Sequence, residues 1–353
     1  MNADISIALA TFNGDRYLQE QLESLAKQTV LPKELIVSDD SSSDRTREVV
    51  ASFIRYATFP VRFHINSSRL GYSVNFFQAA HLCTGSYIAF CDQDDIWEIN
   101  KIECVTRLLL AANRKPDIIL HTCKLLYERK NKPSDLFPPH LLDTRVYNPF
   151  GLNPFEIVPG HCIIANKDLI EAGYSLSSLL QPNSIVRSGH DDIVYFLGAC
   201  AGITQVISIP LVSWRQHLGN TSGVPVLRLS INNDSTNSSH VELMRELSDR
   251  WKRLSCALVE LSNSVNISYR SNLNAAASLF LARSCYYNSR QVISNLRQPF
   301  FARIMNFLYA HFRYSYASGL RLACVSAVAR DASTLLFPSR FVCFLGKLKM
   351  LMK

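Results

Sequence analysis

The segment GSYIAFCDQDDIW (residues 85–97) joins a short apolar run to a cluster of three carboxylates. Tyr87–Phe90 has the composition of a buried strand, and Asp92, Asp94 and Asp95 follow directly after it. Carboxylates this close repel one another unless a cation joins them, and Mg²⁺ or Mn²⁺ is the natural partner of such oxygen ligands. A solvated acidic turn is the alternative interpretation.

Two earlier segments repeat this order of apolar run and polar loop. Thr11–Gly14 follows Ile5–Ala10, and Asp39–Asp44 follows Leu35–Ser38, with helically spaced apolar residues between them. Alternating strands and helices favour an α/β fold with a mostly parallel sheet covered by helices. Because ligands bind at the carboxyl ends of such strands, we expect the three polar loops to meet at one edge of the sheet.

The second of these loops carries the adjacent carboxylates Asp39 and Asp40. One of them is suited to accept the N3–H of a uracil or thymine ring, a charge-assisted contact that cytosine cannot make because it lacks the donor. A loop that only caps the following helix explains the same residues. The pair by itself leaves both interpretations open.

The middle of the chain is less regular. Residues 115–160 contain several prolines and are predicted to form loops and short strands. Further on, the apolar run Val206–Ile209 precedes Pro210, and Val212–Trp214 follows it.

A change of composition divides the chain. Residues 218–239 are rich in Gly, Asn, Ser and Thr, which indicates a linker, and a helical pattern follows. We therefore predict a catalytic domain at residues 1–225 and a helical, basic region at residues 226–353. The ten cysteines show no metal-finger spacing and no leader precedes the first strand, so free thiols in a reducing cytosol are expected.

Positive charge is concentrated towards the C-terminus. The net charge is +8, and residues 240–353 hold 16 Lys and Arg against 5 Asp and Glu, which indicates an anionic partner surface, either lipid or nucleic acid. Residues 301–309 and 335–351 mix apolar side chains with Lys and Arg, as do helices that lie in the membrane interface. A helical subdomain packed through its apolar stripe is the alternative. No segment is apolar enough to predict a membrane-spanning helix.

Several motifs occur in the order and spacing of one family. They are ATFNG (residues 10–14), VSDDSSSD (37–44), RLGYSVNF (69–76), CDQDDIW (91–97), GHDDIVYF (189–196) and WRQHLGNTSG (214–223). Together they resemble family 2 glycosyltransferases of the GT-A fold, and in particular the bacterial rhamnosyltransferase-like members that build O-antigen and other surface polysaccharides. The resemblance covers roughly residues 4–223. It implies a GT-A sheet flanked by helices, followed by the helical basic region.

The resemblance also implies an inverting sugar transfer from a nucleoside diphosphate donor. Asp191 is expected to be the general base, with Asp192 as the alternative because the family usually has an aromatic residue there. Metal contact is expected from Asp94, with Asp92 and His217 as further ligands. Donor contacts are expected from Thr11, Asn13, Asp39, Asp40, Gly71, Asn75, Asp92 and Arg215.

Substrates and location follow from the resemblance in the same way. L-rhamnose from dTDP-rhamnose is the favoured donor sugar, but thymine and uracil present the same N3–H, so the motif leaves dTDP and UDP open. The expected acceptor is a polyprenyl-diphosphate-linked saccharide, reached by a peripheral protein on the inner face of the cytoplasmic membrane, with no nucleic-acid partner. The competing hypotheses are a metal-dependent phosphoryl-transfer enzyme and a non-enzymatic basic membrane-binding module.

Overall fold

A computed structural model describes residues 3–127, 136–181, 183–217, 237–265, 267–294 and 300–309. The chain divides into two compact units. The first comprises residues 1–180, 186–225 and 264–272, and the second comprises residues 181–185, 226–263 and 273–353.

The first unit is built on one sheet. Its strands are β1 Ile5–Thr11, β2 Glu34–Asp39, β3 Val61–Ile65, β4 Tyr87–Cys91, β5 Ile96–Trp97, β6 Ile118–Tyr127, β7 Leu136–Phe137, β8 Val146–Tyr147, β9 Ile163–Asn166 and β10 Thr204–Gln216. The order across the sheet is β3-β2-β1-β4-β9-β6-β10-β5, with β7 beside β6 and β8 beside β10. Strands β3, β2, β1 and β4 are mutually parallel, whereas β9 runs antiparallel to β4 and β6.

Helices connect and flank these strands. They are α1 Leu18–Ala26, α2 Thr46–Ile54, α3 Tyr72–Leu82, α4 Lys101–Ala111, α5 Lys167–Leu179 and α6 His190–Ala201, with a 3₁₀ turn at Gly160–Cys162. Strands β1, β2 and β4 are buried along their whole length, as expected for a sheet covered on both faces. The predicted α/β fold with a mostly parallel sheet is confirmed.

One strand prediction was wrong. The prediction of loops and short strands at residues 115–160 overlooked β6, which is ten residues long and has its first six residues buried. The apolar runs on either side of Pro210 belong to a single strand, β10. The pairing of β10 with β6 is irregular on both sides of Pro210, so the missing N–H falls at a shift of register and interrupts no regular ladder.

The described part of the second unit is helical. α7 Asn237–Ser264 and most of α8 Ile267–Ser294 contribute to it, together with α9 Phe300–Tyr309. The first two helices pack as an antiparallel pair, since Ser248 Oγ lies 2.9 Å from Ser284 O and Ser255 Oγ lies 2.7 Å from Ala277 O. Among the described residues no helix combines the length and hydropathy needed to cross a bilayer. The predictions for residues 218–236 and for the segment 335–351 lie outside the described residues.

Candidate functional site

The polar loops after β1, β2 and β4 meet at one edge of the sheet. Thr11 pairs with Asp39 at the ends of β1 and β2, and β4 lies on the other side of β1. Gln93, in the loop after β4, ties the first and third loops together, because its Oε1 accepts from Thr11 Oγ1 at 2.7 Å and from the N–H of Phe12 at 2.9 Å. We call this edge the acidic rim, defined by residues 11–14, 39–44 and 92–95.

Asp39 and Asn13 fix the conformation of the loop after β2. Asp39 is fully buried and accepts hydrogen bonds from the hydroxyl and the N–H of Ser42. The N–H of Asn13 donates to Ser42 Oγ at 2.9 Å, and Asn13 Oδ1 accepts from the N–H of Ser43 at 2.9 Å. The two loops therefore brace each other at the position where the sequence predicts the nucleotide base.

Asp40 and Asn75 are engaged by protein partners. Asp40 accepts from the N–H groups of Leu70 at 2.7 Å and Gly71 at 2.9 Å, and from Asn66 Nδ2 at 3.1 Å. Asn75 Nδ2 donates to Ser38 O at 2.9 Å, and its Oδ1 accepts from Asn66. Both side chains thus shape the loop that leads into α3, and their predicted contact with the donor stays a prediction.

Gly71 begins α3 with a backbone angle that favours glycine. Its φ is +87°, in the left-handed half of conformational space, and a Cβ at this position would meet nothing within 4 Å. The requirement for glycine therefore comes from the backbone angle and not from crowding. The turn presents the N–H of Gly71 to Asp40.

The three carboxylates after β4 have different surroundings. The side chain of Asp92 is 33% exposed, that of Asp94 is 17% exposed and that of Asp95 is fully buried. Asp94 Oδ2 lies 2.8 Å from Nε2 of His217. Burial raises the pKa of Asp94 to about 6, helped by the charges of Asp95 and Asp92. The ligand atoms of Asp92, Asp95 and His161 lie within 4.8 Å of one another, whereas Asp94 and His217 form a separate pair. A bound cation would relieve the repulsion among the carboxylates, whose oxygens are the ligands that Mg²⁺ and Mn²⁺ take, and the predicted set of Asp94, Asp92 and His217 stays a prediction.

The end of β10 is joined to the same loop. The N–H of Arg215 donates to Asp95 Oδ1 at 3.0 Å, and its Nε donates to Asp94 O at 2.8 Å. Its guanidinium also pairs with Glu20 and lies 4.8 Å from the ring centroid of Tyr17. Arg215 and His217 therefore both lie beside the acidic rim, where the sequence predicts a diphosphate.

Asp191 and Asp192 lie in the first turn of α6. Burial raises the pKa of Asp191 to about 6, and the charge of Asp92 adds to the shift. Burial likewise raises the pKa of Asp192 to about 7, with a further contribution from Asp191, while Arg187 at 3.9 Å opposes it. Asp191 lies next to Gly160, since a Cβ at Gly160 would be 3.6 Å from the Cβ of Asp191, and the neighbouring His161 contacts Asp92.

His190 anchors the start of α6 in the core. Its ring stacks on Phe76 with centroids 3.8 Å apart and meets Phe90 edge-on at 4.7 Å. Burial lowers its pKa to about 3, so the imidazole is neutral. In the predicted His-Asp pair, His190 is therefore packed among aromatic rings, whereas the side chain of Asp191 is 25% exposed.

Sequence reasoning missed His161 and Lys101. Nδ1 of His161 lies 3.0 Å from Asp92 Oδ2 and 2.9 Å from Asp95 Oδ2, and the ring is buried. Buried Lys101 donates from Nζ to the carbonyl of His161 at 2.7 Å. These two basic groups lie beneath the acidic rim. The sequence carries no spacing signal for His161, because it is far from the aspartates along the chain. Lys101 is close to Asp95 in sequence, but nothing in the sequence shows that it is buried.

Comparisons with known proteins agree with this geometry. Residues 6–170 match the model of glycosyl transferase family 2. WfgD of Escherichia coli, a UDP-Glc:α-D-GlcNAc-diphosphoundecaprenol β-1,3-glucosyltransferase, is 33% identical over 109 residues, which cover 31% of this chain and 42% of WfgD. RfbG of Shigella flexneri, a dTDP-rhamnosyl transferase, is 34% identical over 111 residues, covering 30% of this chain and 38% of RfbG.

The chain thus spans about two fifths of the length of the curated relatives that it matches. Among solved structures, residues 1–349 of S. aureus TarS, crystallised with UDP, align over 97% of this chain and 93% of that one, at 16% identity and a TM-score of 0.50. This likeness concerns the fold alone. With the motifs and the acidic rim, the match to the family model identifies residues 6–170 of this chain as a family 2 glycosyltransferase domain.

Proposed function

We propose that the protein is a metal-dependent, inverting glycosyltransferase that uses a pyrimidine nucleoside diphosphate sugar. One observation supports the proposal: the loops after β1, β2 and β4 meet at a single edge of the sheet, so Asp39 at the end of β2 and the carboxylates after β4 belong to the same edge. The charge of Asp92 contributes to the raised pKa of both Asp94 and Asp191. A metal site and a base beside each other are what a displacement at a sugar carbon requires.

The donor half of the site would bind the leaving nucleotide. Asp39, which accepts hydrogen bonds from Ser42, would also accept the N3–H of the base, and Arg215 would hold phosphate oxygens after its ion pair with Glu20 breaks. Asp94, Asp92 and His217 would hold the cation. When bound, that cation supplies positive charge against the charge that develops on the departing diphosphate.

The acceptor half of the site would supply the nucleophile. Asp191 accepts the proton of the acceptor hydroxyl while that oxygen bonds to the anomeric carbon and the bond to the diphosphate breaks. Attack opposite the leaving group inverts the anomeric centre. With a pKa of about 6, Asp191 is largely ionised at neutral pH and is more basic than an exposed aspartate.

The substrates and the location form a finer part of the proposal. The names of WfgD and RfbG give UDP and dTDP donors, and that of WfgD gives a diphosphoundecaprenol-linked sugar as acceptor. They support a polyprenyl-diphosphate-linked saccharide as the acceptor here, with L-rhamnose as one candidate sugar. The basic composition of residues 240–353 supports action at the inner face of the cytoplasmic membrane.

A donor screen on a membrane extract tests the activity. We expect transfer from a UDP- or dTDP-sugar with Mg²⁺ or Mn²⁺, and a loss of about 10²–10⁴-fold in kcat for Asp191→Asn with donor binding retained. Asp192→Asn is the matched control, because the two acids are adjacent in α6. Full turnover by Asp191→Asn would remove this base from the mechanism. Thermal stabilisation of the protein by ATP, with no such stabilisation by UDP or dTDP, would favour a phosphoryl-transfer enzyme.

A further inference from the structure

A cluster of thiols and imidazoles lies buried directly behind the acidic rim. Cys123, Cys162 and one ring nitrogen of His161 offer ligand atoms that all lie within 4.8 Å of one another. A tetrahedral zinc ion bound by sulfur and nitrogen holds its ligand atoms about 3.5–3.8 Å apart, so a small contraction would close the cluster around such an ion. Each of these residues is at most 1% exposed.

His121 lies next to this cluster on the same side of the sheet. His121 and Cys123 are two residues apart on β6, so their side chains project from the same face. The antiparallel pairing of Leu120 with Ile163 places His121 beside Cys162, and the His121 ring contacts the Cys162 thiol. His121 is outside the group whose ligand atoms lie within 4.8 Å of one another, so its ring would have to rotate to complete a Cys₂His₂ set, which is a common composition of closed structural zinc sites.

In the imidazoles of His121 and His161, Nδ1 is engaged by protein oxygens and Nε2 is left to bind an ion. Nδ1 of His121 lies 2.8 Å from the carbonyl of Thr122, and Nδ1 of His161 lies 2.9 Å from Asp95 Oδ2. Nε2 of each ring is buried and has no hydrogen-bond partner among the described residues. Metal-bound histidines show this arrangement, in which one nitrogen donates to a carboxylate or carbonyl while the other binds the metal.

We propose that Cys123, Cys162, His121 and His161 bind a structural zinc ion that is separate from the catalytic cation. The ion would join β6 to the turn at Gly160–Cys162. It would also fix the tautomer of His161, so that Nδ1–H is held towards Asp92 and Asp95. The sulfur ligands select a soft divalent ion, whereas Asp94 and its neighbours suit Mg²⁺ or Mn²⁺.

Metal content of the full-length protein tests this proposal without reference to activity. We expect about one zinc per chain after purification in excess Mg²⁺, near none in Cys123→Ser and Cys162→Ser, and an unchanged content in Cys83→Ser. Cys83 is the matched control because its thiol is also buried, next to the carbonyls of Ala79 and Ile7. In protein purified from cells grown with Co²⁺, we expect an intense thiolate-to-cobalt absorption band.

Three results would overturn the proposal. The first is a wild-type protein that holds no stoichiometric zinc or cobalt. The second is a metal content that Asp94→Asn abolishes and the cysteine variants retain. The third is a disulfide between Cys123 and Cys162 in place of the metal. The wild-type measurements remain decisive even if the serine variants fail to fold. A protein without zinc that still transfers sugar in the presence of Mg²⁺ or Mn²⁺ would refute the zinc site and leave the proposed function standing.

Discussion

At the scale of single residues, the number of hydrogen-bond donors decides what each carboxylate can do. Asp40 has three protein donors, whereas Asp191 accepts from the N–H of Asp192. An acid surrounded by donors holds a loop in place, whereas a partly buried acid with few donors becomes more basic. The sequence shows that both are aspartates and cannot show this difference.

The raised pKa of Asp191 predicts a pH dependence. A general base works in its ionised form, so activity is present above a pKa of about 6 and is lost as the pH falls through that value. A profile of kcat/KM between pH 4.5 and 8 measures the acid limb at about pH 6. An acid limb near the pKa of an exposed aspartate, ~3.9, would contradict the assignment of Asp191.

Asp40 is predicted to act on stability. Asp40→Asn keeps one acceptor oxygen but leaves a backbone N–H of Leu70 or Gly71 unpaired, which costs about 1–3 kcal/mol of the free energy of unfolding. Denaturant titration measures the loss. Asp143→Asn, at an exposed position, is the control and should change little. Equal stability of the two variants would show that Asp40 does not hold the loop.

At the scale of elements, local patterns predicted the first half of the sheet and failed in its second half. Strands β1, β2 and β4 are apolar runs that end in polar loops, and burial on both faces makes such runs easy to recognise. Strand β6 carries His121, Thr122 and Lys124 within its length, and β10 contains Pro210. These residues interrupt the apolar pattern, and only pairing with distant strands makes the segments β.

Local sequence patterns also indicated only some of the residues of the candidate site. Asp39, Asp94 and Asp191 could be singled out in the sequence, because each belongs to a motif at a strand or helix end, and their roles stay predictions. His161 could not, since its contact with Asp92 depends on the antiparallel insertion of β9 between β4 and β6. That insertion is a property of the assembled sheet.

The start of α3 gives a prediction at this scale. Gly71→Ala forces a side chain into a backbone with φ +87°, so we expect a loss of about 1–2 kcal/mol in the free energy of unfolding. Gly71→Asn should cost less, because asparagine tolerates positive φ better than alanine does. Thermal unfolding of both variants measures the difference. An alanine variant as stable as the wild type would contradict the backbone argument.

At the scale of the whole molecule, charge is separated along the chain. The aspartates of the acidic rim belong to the first unit, and the excess of Lys and Arg follows residue 240. This division suits an enzyme that carries a cation at its active site and meets an anionic surface through another segment.

Deletion of residues 300–353 tests the role of the basic segment. We expect the shortened protein to lose sedimentation with vesicles that contain anionic lipid, while its affinity for nucleotide is retained. The full-length protein at high salt is the companion measurement, because salt screens the same attraction. Continued sedimentation of the shortened protein would contradict a role for this segment.

The central claim is that one nucleotide spans the acidic rim, with its base bound by Asp39 and its diphosphate held by a cation at Asp94. Calorimetric titration of UDP and dTDP into the full-length protein, with Mn²⁺ and after chelation, tests it most directly. We predict Mn²⁺-dependent binding that weakens at least about tenfold in Asp94→Asn and in Asp39→Asn, with no comparable binding of ADP. Binding of equal strength without the metal and in both variants would contradict the claim.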